Sequence, residues 1–279
     1  MSKELTPCQK AERSIITTYR KQLWTPFIHA IKDYQLIREG DRIAVCISGG
    51  KDSMLLAKLM QELQRRSDFP FQVVYLVMDP GYNALNRERI EQNAALLQIP
   101  VHIFETDIFS VASDQEKNPC YLCARMRRGH LYSKARELGC NKIALGHHFS
   151  DVIETTVMGM FWGAQLQAML PKLKSVNYPG MELIRPLYMV HEEDIIRWRN
   201  YNGLEFLQCA CKMTETAARD EEASKRRETK NLIRHLRETN PDIEKRIFSA
   251  IHSVNLDTFP GYKTGGEEHS FLEHYDDAP

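Results

Sequence analysis

The chain has no excess of charge of either sign: Lys and Arg total 37, and Asp and Glu total 37. Nucleic-acid binding that relies on a net positive chain is therefore not signalled. A local basic face stays open, because a late acidic group (Glu267, Glu268, Glu273, Asp276, Asp277) offsets cations elsewhere. No apolar run approaches the length of a membrane span. The opening residues MSKELTPCQK lack the apolar stretch of a signal peptide, so the expectation is a cytoplasmic protein with no membrane partner. There is no internal repeat. Cysteine is sparse and odd in number, 7 in all, in a spacing unlike a secreted disulfide framework; metal or catalytic use is favoured. What remains is ordinary for a soluble globular chain: 279 residues, 43% hydrophobic and 27% charged, enough for one large or two small domains.

The most informative stretch is Arg42–Leu56, RIAVCISGGKDSMLL. Ile43 to Ile47 is a short continuous apolar run, as in a parallel strand buried on both faces. It stops at Ser48-Gly49-Gly50-Lys51-Asp52-Ser53, and a helical pattern follows from Met54. Strand, glycine-rich turn and helix aim backbone N–H groups and a helix N-terminus at one anion. The glycines permit close approach of a phosphate, Lys51 adds a point charge, and Ser48 and Ser53 add hydroxyl donors. Asp52 beside a phosphate suits Mg²⁺ coordination. The Walker loop spaces its first Gly from Gly-Lys by four residues, and this segment does not match it. It resembles instead the PP-loop signature SGGKDS of the ATP pyrophosphatases, which cleave ATP between the α- and β-phosphates.

Along the chain, Glu12–Ile37 reads as helical with a kink at Pro26. Phe71–Met78 is a second strand, followed by an Asp79-Pro80-Gly81 turn. Asn83–Leu97 is a helix, Val101–Thr106 a third strand, and Asp107–Pro119 an irregular excursion. A helix from about Tyr121 to Leu138 ends at Gly139, and Lys142–Leu145 is a fourth strand before a helix at Asp151–Phe161. Such alternation implies an α/β fold with a parallel sheet and ligands at the carboxyl ends of its strands. Met78, Gly146, His147 and Asp151, which close or follow strands, are therefore assigned to the nucleotide site, with Asp151 as a plain N-cap the competing reading. Lys172–Val176 and Met181–Leu187 read as two strands around Tyr178-Pro179-Gly180. Helices follow at His191–Tyr201, Glu221–Glu238 and from Pro241, then a loose tail from Asp257. The division is a helical segment 1–40, a nucleotide-binding and cluster domain 41–215, C-terminal helices 216–256 and a tail 257–279.

Cys120-Tyr121-Leu122-Cys123 is a C-x-x-C pair that can serve as a redox pair, half a zinc site or part of an iron–sulfur site. Cys209 and Cys211 could complete a zinc site, or one of them could be the third ligand of a cluster. Cys46, Cys8 and Cys140 read as structural thiols. Arg125, Arg127 and Arg128 form a cationic group without intervening acids, a candidate phosphate contact. The cations of Glu221–Glu238 (Lys225, Arg226, Arg227, Lys230, Arg234, Arg237) read as a solvated helix face.

SGGKDS, C-x-x-C before Arg-Met-Arg-Arg-Gly, Leu-Gly-His-His with Asp151, Arg185-Pro186-Leu187 and a late cysteine, in that order, resemble the TtcA family of tRNA 2-thiocytidine synthetases from roughly Ile31 to Ala250. The resemblance implies a PP-loop domain of the Rossmann-like, adenine nucleotide alpha hydrolase-like kind, with an N-terminal helix and a C-terminal helical segment. It also implies a 4Fe–4S cluster on Cys120, Cys123 and either Cys209 or Cys211; the family has Cys-x-x-Cys where this chain has Cys-x-Cys. By the same resemblance, ATP and Mg²⁺ bind at Ser48–Ser53, and Lys51, Asp52, Cys120 and Cys123 carry the chemistry. A pyrimidine carbonyl of tRNA is adenylated, and sulfur replaces its oxygen as AMP leaves. The sulfur donor is sulfide or a cysteine desulfurase, and a homodimer is implied. The alternatives are a PP-loop enzyme acting on another base or a small molecule, and a zinc-containing nucleotide-binding regulator without turnover.

Overall fold

The computed structural model describes residues 4–108, 119–207 and 221–277, with the backbone alone described at 119–124, 221–224, 274 and 277. Five parallel strands form the centre: β1 (Arg42–Ile47), β2 (Gln72–Asp79), β3 (Val101–Glu105), β4 (Lys142–Ala144) and β6 (Glu182–Ile184). β5 (Lys172–Lys174) adds an antiparallel edge, and the spatial order is β3-β2-β1-β4-β6-β5. The chain winds outward from β1 in one direction and from β4 in the other. Their shared boundary is the topological switch point, where open α/β sheets form a ligand crevice.

β1 shows why the sheet is buried on both sides. Ile43, Val45 and Ile47 enter one core with helices α1 (Pro7–Ile16), α2 (Thr25–Asp33), α3 (Lys51–Arg66) and α7 (Glu192–Tyr201). Ala44 and Cys46 enter a second core with Tyr132 and Ala135 of α5 (Pro119–Glu137). Helix α4 (Ala84–Leu96) links β2 to β3, and α6 (Phe149–Gly163) follows β4. Two late helices, α8 (Glu221–Thr239) and α9 (Ile243–Ala250), pack on α6. Ile233 of α8 is buried with Phe149, Ile153 and Val157 of α6.

Three elements differ from the sequence reading. The N-terminal helix starts earlier, at Pro7, because Thr6 and Gln9 form a reciprocal capping box. It breaks at Thr17, ahead of a π-type turn at Arg20–Trp24, and not at Pro26. Pro26 lies in the first turn of α2, where a missing N–H breaks no helical bond. The tail expected to be loose contains an antiparallel hairpin, β7 (Gly261–Thr264) with β8 (Glu267–Ser270). Gly265 and Gly266 have φ of 60° and 92°, the pair of positive values that a two-residue type I′ turn needs. Among the described residues, no helix is long and apolar enough to cross a membrane.

Candidate nucleotide-binding site

The Ser48–Ser53 loop joins β1 to α3 at the switch point. Gly49 has φ of 84°, and a Cβ there would stand 2.7 Å from Ile90 Cγ1, so glycine is needed for conformation and for space. Gly50 is the N-cap of α3 and has no side chain to satisfy the first N–H groups of that helix, which leaves them for an anion. Ser53 was expected to be a phosphate donor. Its buried hydroxyl donates instead to Gly50 O (3.0 Å) and accepts from Ser48 N (3.2 Å), so it shapes the loop. Ser48 is exposed at the loop surface. Gly146, after β4, packs on the start of α3: a Cβ would lie 3.1 Å from Ser53 N and 3.2 Å from Asp52 C. A larger residue there would press directly on the loop.

Charges from four elements meet at this edge. Lys51 Nζ donates to Asp52 Oδ2 (3.1 Å) and to Glu192 Oε1 (3.0 Å). Burial alone would lower the pKa of this ammonium, but the two carboxylates outweigh it and raise it. Asp52 Oδ1 is buried without a hydrogen-bond partner, with His148 Nε2 at 3.7 Å. Asp151 is not the N-cap of α6 but the third helical residue of its capping box. The cap is His148, whose Nδ1 accepts from Asp151 N (3.3 Å) while Asp151 Oδ2 accepts from His148 N (3.1 Å). His147 has a buried Nδ1 with no partner, and burial pushes its pKa down to about 4, so the ring is neutral at pH 7. Arg185, after β6, also has a partnerless buried Nε. Met78, next to last in β2, has its side chain buried with Ile108.

The pattern of residues did not reveal Glu154, Glu192, Arg226 or Lys230 as parts of this site. Glu192 Oε2 accepts from Lys230 Nζ at 2.7 Å. Burial opposes ionisation of Glu192, but the Lys230 hydrogen bond and the Lys51 charge hold its pKa down to about 2. Arg226 Nη1 lies 3.2 Å from Asp151 Oδ1. Glu154 is buried beneath these cations, with Lys230 at 3.7 Å and Arg226 at 3.9 Å, and burial raises its pKa from 4.5 to about 7.

Glu154 makes stability depend on pH. Between pH 4.5 and 7 the folded chain holds a proton that the unfolded chain has lost, so this group's contribution to stability falls as pH rises through that window. Glu154→Gln removes the effect. We expect the variant to match the parent near pH 5 and to exceed it by up to about 3 kcal/mol at pH 8. Paired denaturant titrations at the two values check this, and a pH-independent difference would contradict it.

The cysteines divide clearly. Cys8, Cys46 and Cys140 are buried free thiols, and burial raises the pKa of each, that of Cys46 to about 12. Cys120 and Cys123 are the second and fifth residues of α5. Cys209 and Cys211 lie outside the described residues. The described chain leading to them ends at Leu207, whose N–H donates to Gly49 O at 3.2 Å. Arg125 and Arg128 are exposed and Arg127 half-buried, one turn beyond the C-x-x-C pair. Among the described residues, no three or more His, Cys, Asp or Glu side chains are grouped to hold a metal by themselves.

Comparison with known proteins agrees with this arrangement. The family model described as "PP-loop domain" matches residues 20–235. A tRNA-cytidine(32) 2-sulfurtransferase of Pelobacter propionicus is 37% identical over 229 residues, which cover 81% of this chain and 83% of that protein. A protein of the same name from Shewanella pealeana is 34% identical over 284 residues, covering 100% of this chain and 87% of its own. Among solved structures, the U34-tRNA thiolase NcsA from Methanococcus maripaludis, with its [4Fe-4S] cluster, shares the fold at a TM-score of 0.64. Its identity is 19%, with 81% of this chain and 76% of that one covered. The chain therefore belongs to the PP-loop family and, within it, to the family of the tRNA-cytidine(32) 2-sulfurtransferases.

Proposed function

We propose that this protein is an ATP-dependent tRNA thiolase that replaces the 2-oxygen of a cytidine with sulfur, using an iron–sulfur cluster. One observation carries the reading beyond ATP binding: the Leu207–Gly49 hydrogen bond ties the segment leading to Cys209 and Cys211 to the nucleotide loop. Relatives named for cytidine thiolation support the choice of base.

The chain's residues fit the cofactors. A cluster needs thiolates; burial disfavours ionisation of Cys8, Cys46 and Cys140, in keeping with the ligand set that the family resemblance implies, Cys120, Cys123 and one of Cys209 or Cys211. Mg²⁺ takes few protein ligands and completes its shell with phosphate and water, as the partnerless Asp52 Oδ1 would allow. When bound, the cluster would supply an iron open to sulfide, given either as sulfide or as persulfide sulfur from a cysteine desulfurase that an external thiol reduces. The chain does the rest. Loop N–H groups and Lys51 hold the ATP phosphates and take up the charge that develops as the cytosine O2 attacks the α-phosphorus. Pyrophosphate leaves, sulfur adds at C2, and the C2–O bond breaks to release AMP. Exposed Arg125 and Arg128, with Arg127, provide cations for the tRNA backbone. The reading includes a cytoplasmic homodimer.

The test is anaerobic purification followed by incubation with unmodified tRNA, ATP and sulfide, with nucleoside mass spectrometry. Thiocytidine that requires both ATP and iron is expected. Zinc in place of iron, or a thiolated base other than cytosine, would overturn the reading as stated.

A further inference from the structure

We propose that Arg226 and Lys230 of helix α8 bind the β,γ-phosphate end of ATP and the pyrophosphate it becomes. This rests on the nucleotide site described above, but not on tRNA as the acceptor.

In sequence these cations sit among Glu221, Glu222, Glu228 and Glu238 and look like a solvated face. Packing decides otherwise. Thr229 and Ile233 are buried, and Ile233 docks on Phe149, Ile153 and Val157 of α6. Arg226 and Lys230, one turn apart, are thereby turned toward the first residues of α6 and α7.

There a single carboxylate bridges two ammonium groups. Glu192 accepts from Lys51 through Oε1 (3.0 Å) and from Lys230 through Oε2 (2.7 Å). Lys51 is the cation of the phosphate loop, so a phosphate oxygen that displaces this carboxylate gains Lys230 together with Lys51. Arg226 stands beside it on Asp151 at 3.2 Å. The side chains of Arg226 and Lys230 are 43% and 39% exposed, which leaves them room to turn onto a ligand. Lys58 is fully buried and Lys142 nearly so, and both are committed to structural bonds.

The local acids do not forbid an anion here. The N-termini of α3, α6 and α7 meet at this spot: Gly146 packs on the start of α3, and Glu192 N donates to Ser150 Oγ at 3.3 Å. Each contributes partial positive charge from its aligned peptide dipoles. Asp52 would be neutralised by Mg²⁺ carried with the nucleotide.

The test is calorimetric titration of the full-length protein with Mg²⁺-ATP, pyrophosphate and AMP, without tRNA. Lys230→Ala and Arg226→Ala should each weaken ATP and pyrophosphate by about tenfold or more, the loss of one charge-assisted contact, and leave AMP within about twofold. Lys230→Arg should recover most of the affinity. Lys230→Gln, which keeps part of the aliphatic stem, guards against misfolding of the alanine variant, and melting curves of the free proteins verify both. Unchanged ATP and pyrophosphate affinity would return these residues to the solvated face. Equal weakening of ATP and AMP would mean that α8 only props the site. Because no tRNA is present, failure of the thiolation reading would not move these affinities. Failure here would leave thiolation untouched.

Discussion

Cys123→Ser protein, purified without oxygen, is expected to lose its iron and to form no thiocytidine, while binding ATP as tightly as the parent. The expectation follows from thiol chemistry. A cluster ligand must be a thiolate, and a serine hydroxyl titrates far too high to replace it. Cys120 and Cys123 are the second and fifth residues of α5, one helical turn apart. No described thiol can substitute, since Cys46 and Cys140 are buried in a core and Cys8 on the inner side of α1, and their burial favours the protonated form. The nucleotide loop is built from β1 and α3, which owe nothing to the pair, so ATP affinity should not move. Iron and sulfide analysis, nucleoside mass spectrometry and ATP titration on one preparation separate the effects. A variant that keeps its full iron would remove Cys123 from the ligand set, and one that loses ATP binding as well would point to a folding defect.

The second large effect concerns a lysine that is fully buried. Lys58, in the middle of α3, has 0% side-chain exposure. Its ammonium donates to Glu12 Oε1 (2.7 Å), Gln61 Oε1 (2.6 Å) and Leu97 O (2.8 Å), with Cys8 Sγ at 3.5 Å. The bond to Glu12 joins α1 to α3. Glu12 also meets Arg65 at 3.1 Å, and although burial works against its ionisation, these cations lower its pKa. Glu12→Ala strands the buried ammonium with neutral partners only, and should destabilise the protein by about 3 kcal/mol or more. Lys58→Met removes the charge and keeps the volume, so it should cost much less, about 1 kcal/mol, even though Leu97 O loses a donor. Urea denaturation of the three proteins tests the ordering. Equal losses in the two variants would show that the pair itself, and not the stranded charge, carries the stability.

Much of the site could be read directly from the chain because its determinants are contiguous. An apolar strand, two glycines, Lys51, Asp52 and an apolar helix form one local unit, and its geometry follows from neighbouring residues. The same holds for Cys120 and Cys123, whose spacing is that of one helical turn. Even so, the hydroxyl of Ser53 could not be distinguished from a phosphate ligand, because its partners Gly50 O and Ser48 N depend on how the loop closes. The hairpin at Gly265-Gly266 was signalled by two adjacent glycines between alternating residues, but the charges around them masked it.

What the sequence determined by itself was therefore the parallel α/β sheet and the phosphate loop at the end of its first strand. The partners of that loop were decided only in three dimensions. Glu192 is 141 residues from Lys51, and Lys230 lies 38 residues beyond Glu192. A helix with mixed charges has the same pattern whether it faces water or an opposing charge. In this protein the choice is made on the face of α8 that carries buried Thr229 and Ile233: Ile233 packs on α6, which turns Arg226 and Lys230 inward. The physical reason is the difference in range: backbone geometry and thiol chemistry act between neighbours in the chain, whereas charges find their partners only after the apolar faces have packed.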